Sequence, residues 1–186
     1  MGLSENAQER VYRVALLATG LLRFINLGFK DLQAWDEALY AMRAEGILRF
    51  GGWLDQTSFA VDGLYSSLHP PLYVWLTTIA FHLFGVNEFS ARFFSALLGG
   101  LTLFVIYGIG KKIVNRHVGF LAAVLFGLHP FTTFFARQGQ FDTALVFFLS
   151  LAVYFLNNNE YQPSPRNVIL AGLSTSAALM TKLYVG

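Results

Sequence analysis

Two short motifs carry residue types that suit acid–base chemistry, and both lie in a polar interval between apolar stretches. The first is Asp36-Glu37, which follows Trp35; the second is a His-Pro-Pro step. A carboxylate can act as a general base that takes a proton from an acceptor hydroxyl or amine. A carboxyl group with an ordinary pKa of about 4 is a weak base at neutral pH, so we expect desolvation against Trp35 and the bilayer to raise the pKa of Asp36. Alternatively, both acids serve only the dipole at the start of a helix.

The second motif, His69-Pro70-Pro71, holds a histidine in extended backbone. Two successive prolines fix φ, and a residue before proline is biased away from helix. A rigid histidine suits binding of an anionic ligand, although a turn that dips a short helix into the membrane interface explains the same residues. A metal site needs three or four ligands, and the other three histidines do not form ligand spacings with His69. The sequence therefore indicates no metal, and it leaves any cofactor open.

The composition is that of a membrane protein. Charged residues make up 13% of the 186-residue chain and hydrophobic residues 55%, whereas soluble domains carry about 25% charged residues. The absence of cysteine excludes disulfides and thiolate metal sites. The net charge of +2 includes no basic cluster on a polar face, so nothing indicates nucleic acid as a partner.

Five apolar stretches are long enough, or nearly so, to cross a bilayer, which takes about 20 helical residues. They are residues 11–29, 92–113, 118–136, 141–156 and 168–186. A sixth stretch, 72–84, is shorter and is more typical of an interfacial or re-entrant helix. Pro130 is expected to kink the third spanning helix.

Charges at the ends of these stretches predict how the chain crosses the membrane. Lys111, Lys112 and Arg116 crowd one short loop, which favours the cytoplasmic side for that loop. Arg10 and Arg13 favour the same side for the N-terminus. Both assignments hold only if the sixth stretch does not cross. The sequence thus predicts an all-α, polytopic transmembrane helical bundle of about five spanning helices, which forms a single module.

An external segment, residues 30–91, follows from this topology and is expected to carry juxtamembrane amphipathic helices. One such helix is predicted over residues 35–50, where Asp36, Tyr40 and Arg43 share a face. The same topology places five candidate side chains on the external side of the membrane: Asp36, His69, Arg137, Asp142 and Lys182.

Asp142 begins a stretch that is short for a span, about 22 Å at 1.5 Å per residue. Either its helix extends back to Gln138, or the carboxylate lies below the membrane boundary and must face a cavity or a cation. An interfacial N-cap explains it as well. Snorkelling accounts for Lys182 and Arg92 near helix ends. Arg23 lies deeper in the first stretch, where it either snorkels outward or pairs with an acid in the protein interior.

In order and spacing, these motifs resemble the membrane-embedded glycosyltransferases of the GT-C class, above all the branch of protein O-mannosyltransferases and bacterial aminoarabinose transferases. The resemblance runs over nearly the whole chain. It rests on Asp36-Glu37, His69-Pro70-Pro71-Leu72, Ser90-Ala91-Arg92-Phe93, Arg137 with Asp142, and Thr181-Lys182.

The resemblance implies transfer of a sugar, with inversion, from a polyprenyl-phosphate-linked donor to an acceptor at the external membrane face. It implies Asp36 as catalytic base, Glu37 as its supporting acid and Asp142 as a second acid of the site, with the proline motif helping to hold the lipid phosphate. Cations stabilise a phosphate leaving group as its charge grows; the candidates for this role are His69, Arg137 and Lys182. The expected partners are the lipid-linked donor, membrane lipid, and a protein or glycolipid acceptor.

Two departures from the class limit what the resemblance implies. The aminoarabinose branch has Lys before the two prolines, whereas this chain has His69, as the protein mannosyltransferases do. The Gly-Lys continuation of the mannosyltransferases is replaced by Tyr73-Val74, so the acceptor is left open. Members of the class have more spanning helices and usually a further external domain. We therefore expect an N-terminal portion or a naturally short relative.

Two other functions stay open on the residues alone. One is a transporter or non-catalytic membrane subunit, and the other is a fragment that only binds lipid phosphate. Transporters place charged groups near the midplane between inverted repeats, whereas the acids here gather at one side and no inverted repeat is visible. The expected location is a bacterial or archaeal cytoplasmic membrane, with the N-terminus in the cytoplasm and the active site external.

Overall fold

The computed structural model describes residues 4–54 and 70–182, and these residues form eight α-helices, one short 3-10 helix and no strand. The helices are α1 (Glu5–Leu21), α2 (Asp36–Phe50), α3 (Leu72–Phe84), α4 (Glu88–Ile113), α5 (Arg116–Leu128), α6 (Pro130–Phe135), α7 (Asp142–Tyr161) and α8 (Pro165–Leu179), and the 3-10 helix is Leu22–Phe24. The predicted all-α class is confirmed for this part of the chain. His69, a residue of the predicted site, lies outside it.

α4 is the central helix, because α1, α3, α5 and α7 all pack against it. It begins in a capping box, in which the Asn87 side chain accepts from the Ser90 N–H and the Ser90 hydroxyl accepts from the Asn87 N–H. Gly20 of α1 faces Gly100 of α4, where an added Cβ would lie 3.3 Å from the Gly100 Cα. Small residues of this kind allow two helix backbones to approach closely.

Among the helices of the two described ranges, α4 alone is both long and apolar enough to cross a membrane. Its 26 residues correspond to about 39 Å at 1.5 Å per residue. α3 and α5 are apolar but shorter. The helices at the four other predicted spans are thus shorter or less apolar, and the prediction of five spans is not confirmed.

Two further helix boundaries can be compared with the predictions. The predicted kink at Pro130 is confirmed as a break between α5 and α6, because His129, the residue before the proline, has an extended backbone. α7 continues past the predicted end at residue 156 to Tyr161, so its 20 residues reach about 30 Å. The helix that begins at Asp142 therefore gains its length at the far end rather than toward Gln138.

Where α4 ends and α5 begins, charged residues pair at the surface in what we call the Glu9 cluster (Glu5, Glu9, Arg13, Lys111 and Arg116). Glu9 accepts hydrogen bonds from Lys111 Nζ at 2.8 Å and from Arg13 Nη2 at 3.0 Å. Arg116 forms an ion pair with Glu5. These contacts tie the start of α1 to α4 and α5.

Candidate active site

Asp36 is the first residue of α2, and its side chain is exposed. The preceding residue, Trp35, has a left-handed backbone (φ 74°, ψ −110°). Such backbone strain costs about 1–3 kcal/mol and is concentrated at functional sites. Trp35 is itself 77% exposed and does not enclose the neighbouring carboxylate. The Trp35 ring therefore does not bury the Asp36 carboxylate within the protein, so the expected desolvation by Trp35 is wrong, and the expected desolvation by the bilayer stays a prediction.

Glu37, the next carboxylate, is fully buried and ion-paired. Arg92 donates to both of its oxygens, from Nε to Oε1 at 2.7 Å and from Nη2 to Oε2 at 2.9 Å. The backbone N–H groups of Gly139 and Gln33 donate to the same carboxylate at 2.6 and 2.7 Å. Burial raises the pKa of Glu37, but the hydrogen bonds from Arg92 and the two N–H groups outweigh burial and lower that pKa overall. Glu37 thus stays ionised at neutral pH.

Arg92 extends this network to the connection between α1 and α2. Its Nη1 donates to the carbonyls of Leu27 and Lys30 at 2.9 and 2.7 Å, and its Nη2 donates to the carbonyl of Asp31 at 2.9 Å. Arg92 is only 4% exposed, so the snorkelling alternative is wrong for this residue. The Glu37–Arg92 pair holds the start of α2, and with it Asp36, against the helical bundle.

Gly139 is a residue of the site that the sequence patterns did not indicate. A Cβ at this position would lie 3.0 Å from Glu37 Cγ and 3.1 Å from the Ala91 carbonyl oxygen. Glycine therefore leaves the room that its N–H needs to reach the Glu37 carboxylate. The available signal was its position between Arg137 and Asp142.

Asp142, the first residue of α7, faces Lys182, which follows α8. Lys182 Nζ lies 3.9 Å from Asp142 Oδ1 and 4.6 Å from the centre of the Phe141 ring. The two side chains are 39% and 40% exposed, so both are accessible. An ion pair this long and this exposed is weak, which leaves the ammonium group available to an anionic ligand. The geometry fits the alternative in which Asp142 faces a cation.

Tyr40 links Asp36 to Asp142. It lies one helical turn after Asp36, is nearly fully buried, and makes edge-on ring contacts with Phe141 at 5.5 Å and Tyr73 at 5.6 Å between centroids. Burial raises the pKa of the Tyr40 hydroxyl, and the charges of Asp36 and Asp142 raise it further. Both carboxylates therefore lie close to one buried aromatic group.

The Pro70-Pro71 step lies beside the end of α8. The Leu72 N–H donates to the Met180 carbonyl at 3.1 Å, which joins the start of α3 to the segment that carries Lys182. Together with the Tyr40–Tyr73 contact, this bond brings the proline step to the same end of α4 as the acids. We call the charged residues at this end the Asp36 cluster (Asp36, Glu37, Arg92, Asp142 and Lys182).

Arg137 bonds to the connection between α1 and α2 and, with Arg92, lines a cavity there. Its Nη1 donates to the backbone carbonyls of Arg23 at 3.0 Å and Leu22 at 3.4 Å. It borders a cavity of about 360 Å³ that the α1–α2 connection lines with Lys30 and Gln33. The structure thus brings Asp36, Asp142 and Lys182 together, while Arg137 bonds to the α1–α2 side.

The Asp36 cluster presents two accessible carboxylates and one accessible ammonium group beside the buried Glu37–Arg92 pair. Such a set can take a proton from a hydroxyl and neutralise charge that develops on a phosphate. Within the described residues, no group of three His, Asp or Glu side chains is placed to hold a metal ion.

Comparison with known proteins gives a match to one family model. The model is described as dolichyl-phosphate-mannose-protein mannosyltransferase, and it matches residues 68–186. The matched part includes the proline step, Arg92, Gly139, Asp142 and Lys182.

Relatives and solved structures agree with that match. The chain is 30% identical to the polyprenol-phosphate-mannose–protein mannosyltransferase of Mycobacterium tuberculosis, over 88% of this chain and 31% of the relative. It is 30% identical to the undecaprenyl phosphate-alpha-4-amino-4-deoxy-L-arabinose arabinosyl transferase of Pseudomonas savastanoi, over 74% of this chain and 26% of the relative. ArnT from Cupriavidus metallidurans in the apo state has the same fold, with a TM-score of 0.76 and 22% identity over 96% of this chain and 34% of that one. The chain spans about a quarter to a third of the length of these proteins.

Proposed function

Since the chain belongs to the dolichyl-phosphate-mannose-protein mannosyltransferase family, we propose that the protein carrying it is a membrane glycosyltransferase. It transfers a sugar from a polyprenyl-phosphate-linked donor to a hydroxyl or amine of a protein or glycolipid acceptor. The observation that carries this proposal is the exposed Asp36 carboxylate, which the buried Glu37–Arg92 pair holds near Asp142 and Lys182. The printed activities of the mannosyltransferase and arabinosyl transferase relatives support it.

In the proposed reaction, Asp36 removes the proton from the acceptor hydroxyl while the acceptor oxygen attacks the anomeric carbon of the sugar. The bond from that carbon to the phosphate oxygen breaks, and its electron pair leaves with the lipid phosphate. Attack opposite the leaving group inverts the anomeric configuration. Lys182 stabilises the charge that grows on the phosphate, and Asp142 keeps the ammonium group positioned.

The other candidates have supporting roles in this proposal. Glu37 acts on Asp36 by fixing the start of α2, and it does not touch the substrate, because all of its surface is buried. His69 precedes the proline step, and the Leu72 N–H that follows this step donates to the Met180 carbonyl at the end of α8. We propose that His69 contacts the donor phosphate beside Lys182. Arg137 is proposed as a further phosphate ligand that must leave its carbonyl partners on the α1–α2 side to act.

We propose five spans, at residues 11–29, 92–113, 118–136, 141–156 and 168–186. α2 and α3 then lie on the external face with the Asp36 cluster, and the Glu9 cluster lies in the cytoplasm of a bacterial or archaeal cell, as does the N-terminus. The separation of the two clusters to opposite ends of α4 supports this arrangement. Single cysteines at Asn87 and Asn115 test it, because the chain has no native cysteine. We expect an impermeant thiol reagent added outside to label Asn87→Cys only. Labelling of Asn115→Cys alone would show that the proposed topology is wrong.

The function is tested with the full-length protein in proteoliposomes, supplied with polyprenyl-phosphate mannose and an acceptor peptide. Asp36→Asn removes the base without changing the size of the side chain, and we expect turnover to fall by about 100-fold to 10,000-fold. Asp31→Asn is the matched control, because Asp31 is exposed and meets Arg92 through its backbone carbonyl rather than its carboxylate. Equal turnover of both variants and the wild type would remove Asp36 as the base. Lipid binding without any transfer by the wild type would favour a non-catalytic lipid-binding subunit.

A further inference from the structure

The Lys182 ammonium group lies against an aromatic ring as well as beside an acid. Its Nζ is 4.6 Å from the centre of the Phe141 ring and 3.9 Å from Asp142 Oδ1. A cation within about 6 Å of a ring centre is attracted to the electron-rich face of the ring, whereas a nitrogen–oxygen distance of 3.9 Å is too long for a hydrogen bond. Asp142 therefore attracts the ammonium group without fixing it, and the ring face is the second surface that confines it.

Arg92 and Arg23 show how buried cations elsewhere in the bundle are held. Arg92 donates to the Glu37 carboxylate and to backbone carbonyls. Arg23 is 1% exposed and donates to the carbonyls of Thr19 and Gly127. Both sequence alternatives for Arg23 are wrong, since it neither snorkels outward nor forms an ion pair with an acid of residues 4–54 or 70–182. Oxygen atoms hold both arginines, in contrast to the ring that Lys182 meets.

Lys111 shows the effect of a carboxylate in hydrogen-bond contact with a lysine. Its Nζ lies 2.8 Å from Glu9 Oε2 and 5.8 Å from the centre of the Tyr107 ring, so the carboxylate neutralises much of its charge. At Lys182 the ring is nearer and the carboxylate is farther away. An aromatic ring has no net charge. It can therefore hold an ammonium group without cancelling the positive charge that a phosphate would meet.

Phe141 is itself fixed by its neighbours. It is buried in the apolar core, and the Tyr40 ring packs edge-on against it at 5.5 Å between centroids. The Tyr73 ring meets Tyr40 in the same way at 5.6 Å. Phe141 is also the N-cap residue of α7 and directly precedes Asp142. One short backbone segment therefore positions both of the groups that meet Lys182.

We propose that Phe141 is the positioning residue of Lys182. Its ring holds the ammonium group beside Asp142 by a cation–π interaction and leaves the positive charge available to an anionic group. This inference rests on the proposed function, in which Lys182 stabilises the phosphate leaving group. Phe141 acts through Lys182 and does not contact the reacting atoms. If the ring face is made less electron-rich, the ammonium group moves toward Asp142, whose carboxylate then neutralises it.

Fluorination of the ring tests this proposal with little change in packing. Each fluorine withdraws electron density from the ring face, which weakens its attraction for a cation. Phenylalanine at position 141 of the full-length protein is replaced by mono-, di- and trifluorinated phenylalanine, and kcat is measured in proteoliposomes with polyprenyl-phosphate mannose and an acceptor peptide. We expect kcat to fall with each added fluorine, by about twofold to fivefold over the series.

The same replacements at position 148 are the matched control. Phe148 packs against the same apolar cluster as Phe141, and among the described residues no cation lies over its ring. Fluorination there should leave kcat unchanged. Phe141→Leu removes the ring altogether and should lower kcat at least as much as the trifluorinated ring does. Because Phe141→Leu also repacks the core, the fluorinated series decides the question if that variant fails to fold.

Fluorine NMR detects the contact without the transfer reaction. The signal of the monofluorinated residue at position 141 is recorded in detergent for the otherwise wild-type protein, for Lys182→Met and for Lys111→Met. Removing an adjacent charge changes the electric field at the ring, so we expect Lys182→Met to shift the signal and Lys111→Met to leave it in place. An unshifted signal in Lys182→Met would overturn the proposal.

The two measurements separate this proposal from the proposed function. If Lys182→Met lowers kcat while the fluorinated series at position 141 leaves it constant, Phe141 does not position Lys182 and the proposal is wrong. Equal losses at positions 141 and 148 would also overturn it, because they would come from packing rather than from the ring face. If Lys182→Met turns over like the wild type, the role of Lys182 in the proposed function fails, and the NMR signal still decides whether the ring holds the ammonium group.

Discussion

The Glu9 cluster and the Asp36 cluster both combine carboxylates with Arg and Lys at opposite ends of α4, but the carboxylates are paired differently. In the Glu9 cluster each acid meets a basic side chain at the protein surface. In the Asp36 cluster the paired acid, Glu37, is buried, while Asp36 is exposed and has no partner in the described ranges. Stability alone explains the first arrangement. The second fixes the start of α2 and leaves the Asp36 carboxylate unpaired, as the proposed role of Asp36 as general base requires.

Breaking the buried Glu37–Arg92 pair is expected to have the largest effect on the free energy of unfolding. Glu37→Gln leaves the Arg92 guanidinium buried without a counter-charge, which costs about 3–5 kcal/mol. Glu9→Gln is the matched change in the other cluster, where a surface pair contributes about 0–1 kcal/mol. Thermal unfolding of the full-length protein in detergent compares the two. A Glu37→Gln variant as stable as Glu9→Gln would mean that burial does not distinguish the clusters.

The lysines of the two clusters should differ in catalysis. Lys182→Met removes the proposed stabiliser of the phosphate leaving group, so we expect kcat to fall by about 100-fold to 1,000-fold. Lys111→Met removes a cation that contacts Glu9 and the Tyr107 ring, far from the proposed site, and it should leave kcat unchanged. Turnover of the two variants in proteoliposomes checks this. A comparable loss in both would show that the measured effect comes from general destabilisation.

Gly139 offers a test of the packing that supports the buried Glu37–Arg92 pair. Gly139→Ala places a methyl group against Glu37 Cγ and the Ala91 carbonyl, and overpacking of this kind costs about 1–3 kcal/mol. Gly172→Ala is the control, because an added Cβ in this exposed part of α8 meets nothing within 4 Å. There the change should stabilise the helix by about 1 kcal/mol. Chemical unfolding distinguishes the variants, and destabilisation by both would remove the argument for a close contact at Gly139.

The smallest expected effect is an acid dependence of stability in the Glu9 cluster. The hydrogen bond from Lys111 is the main cause that lowers the pKa of Glu9, from 4.5 to about 2. A lowered folded-state pKa contributes stability above pH 4.5, and that contribution is lost as the pH falls toward 2. The Tm difference between wild type and Glu9→Gln should therefore shrink between pH 6 and pH 3. A difference that grows in this range would contradict the assigned partner.

Sequence patterns within a few residues predicted much of the fold. The extents of α2 and α3 and the break at Pro130 follow from patterns within a few residues, namely apolar periodicity and the backbone limits of proline. Asp36, Asp142 and Lys182 lie at one end of the helices, whereas the alternating crossings that would place this end outside the cell stay a prediction. Their roles in catalysis stay predictions.

Contacts between distant segments could not be read from the sequence. Glu37 and Arg92 are 55 positions apart, and nothing near either residue indicates that they pair rather than face solvent. Gly139 N–H and the Glu37 carboxylate that it reaches are 102 positions apart, and their contact depends on how distant segments pack. Arg23 bonds to backbone carbonyls, and carbonyls carry no residue-specific signal.

The pH dependence of kcat/KM for wild type and Asp36→Asn tests the central claim most directly. If Asp36 is the base, the wild-type rate falls at acidic pH with unit slope, because the carboxylate must be ionised to accept the proton. The residual rate of Asp36→Asn should lack this acidic limb. A limb of unchanged position and slope in Asp36→Asn would assign the base to another group and contradict the account.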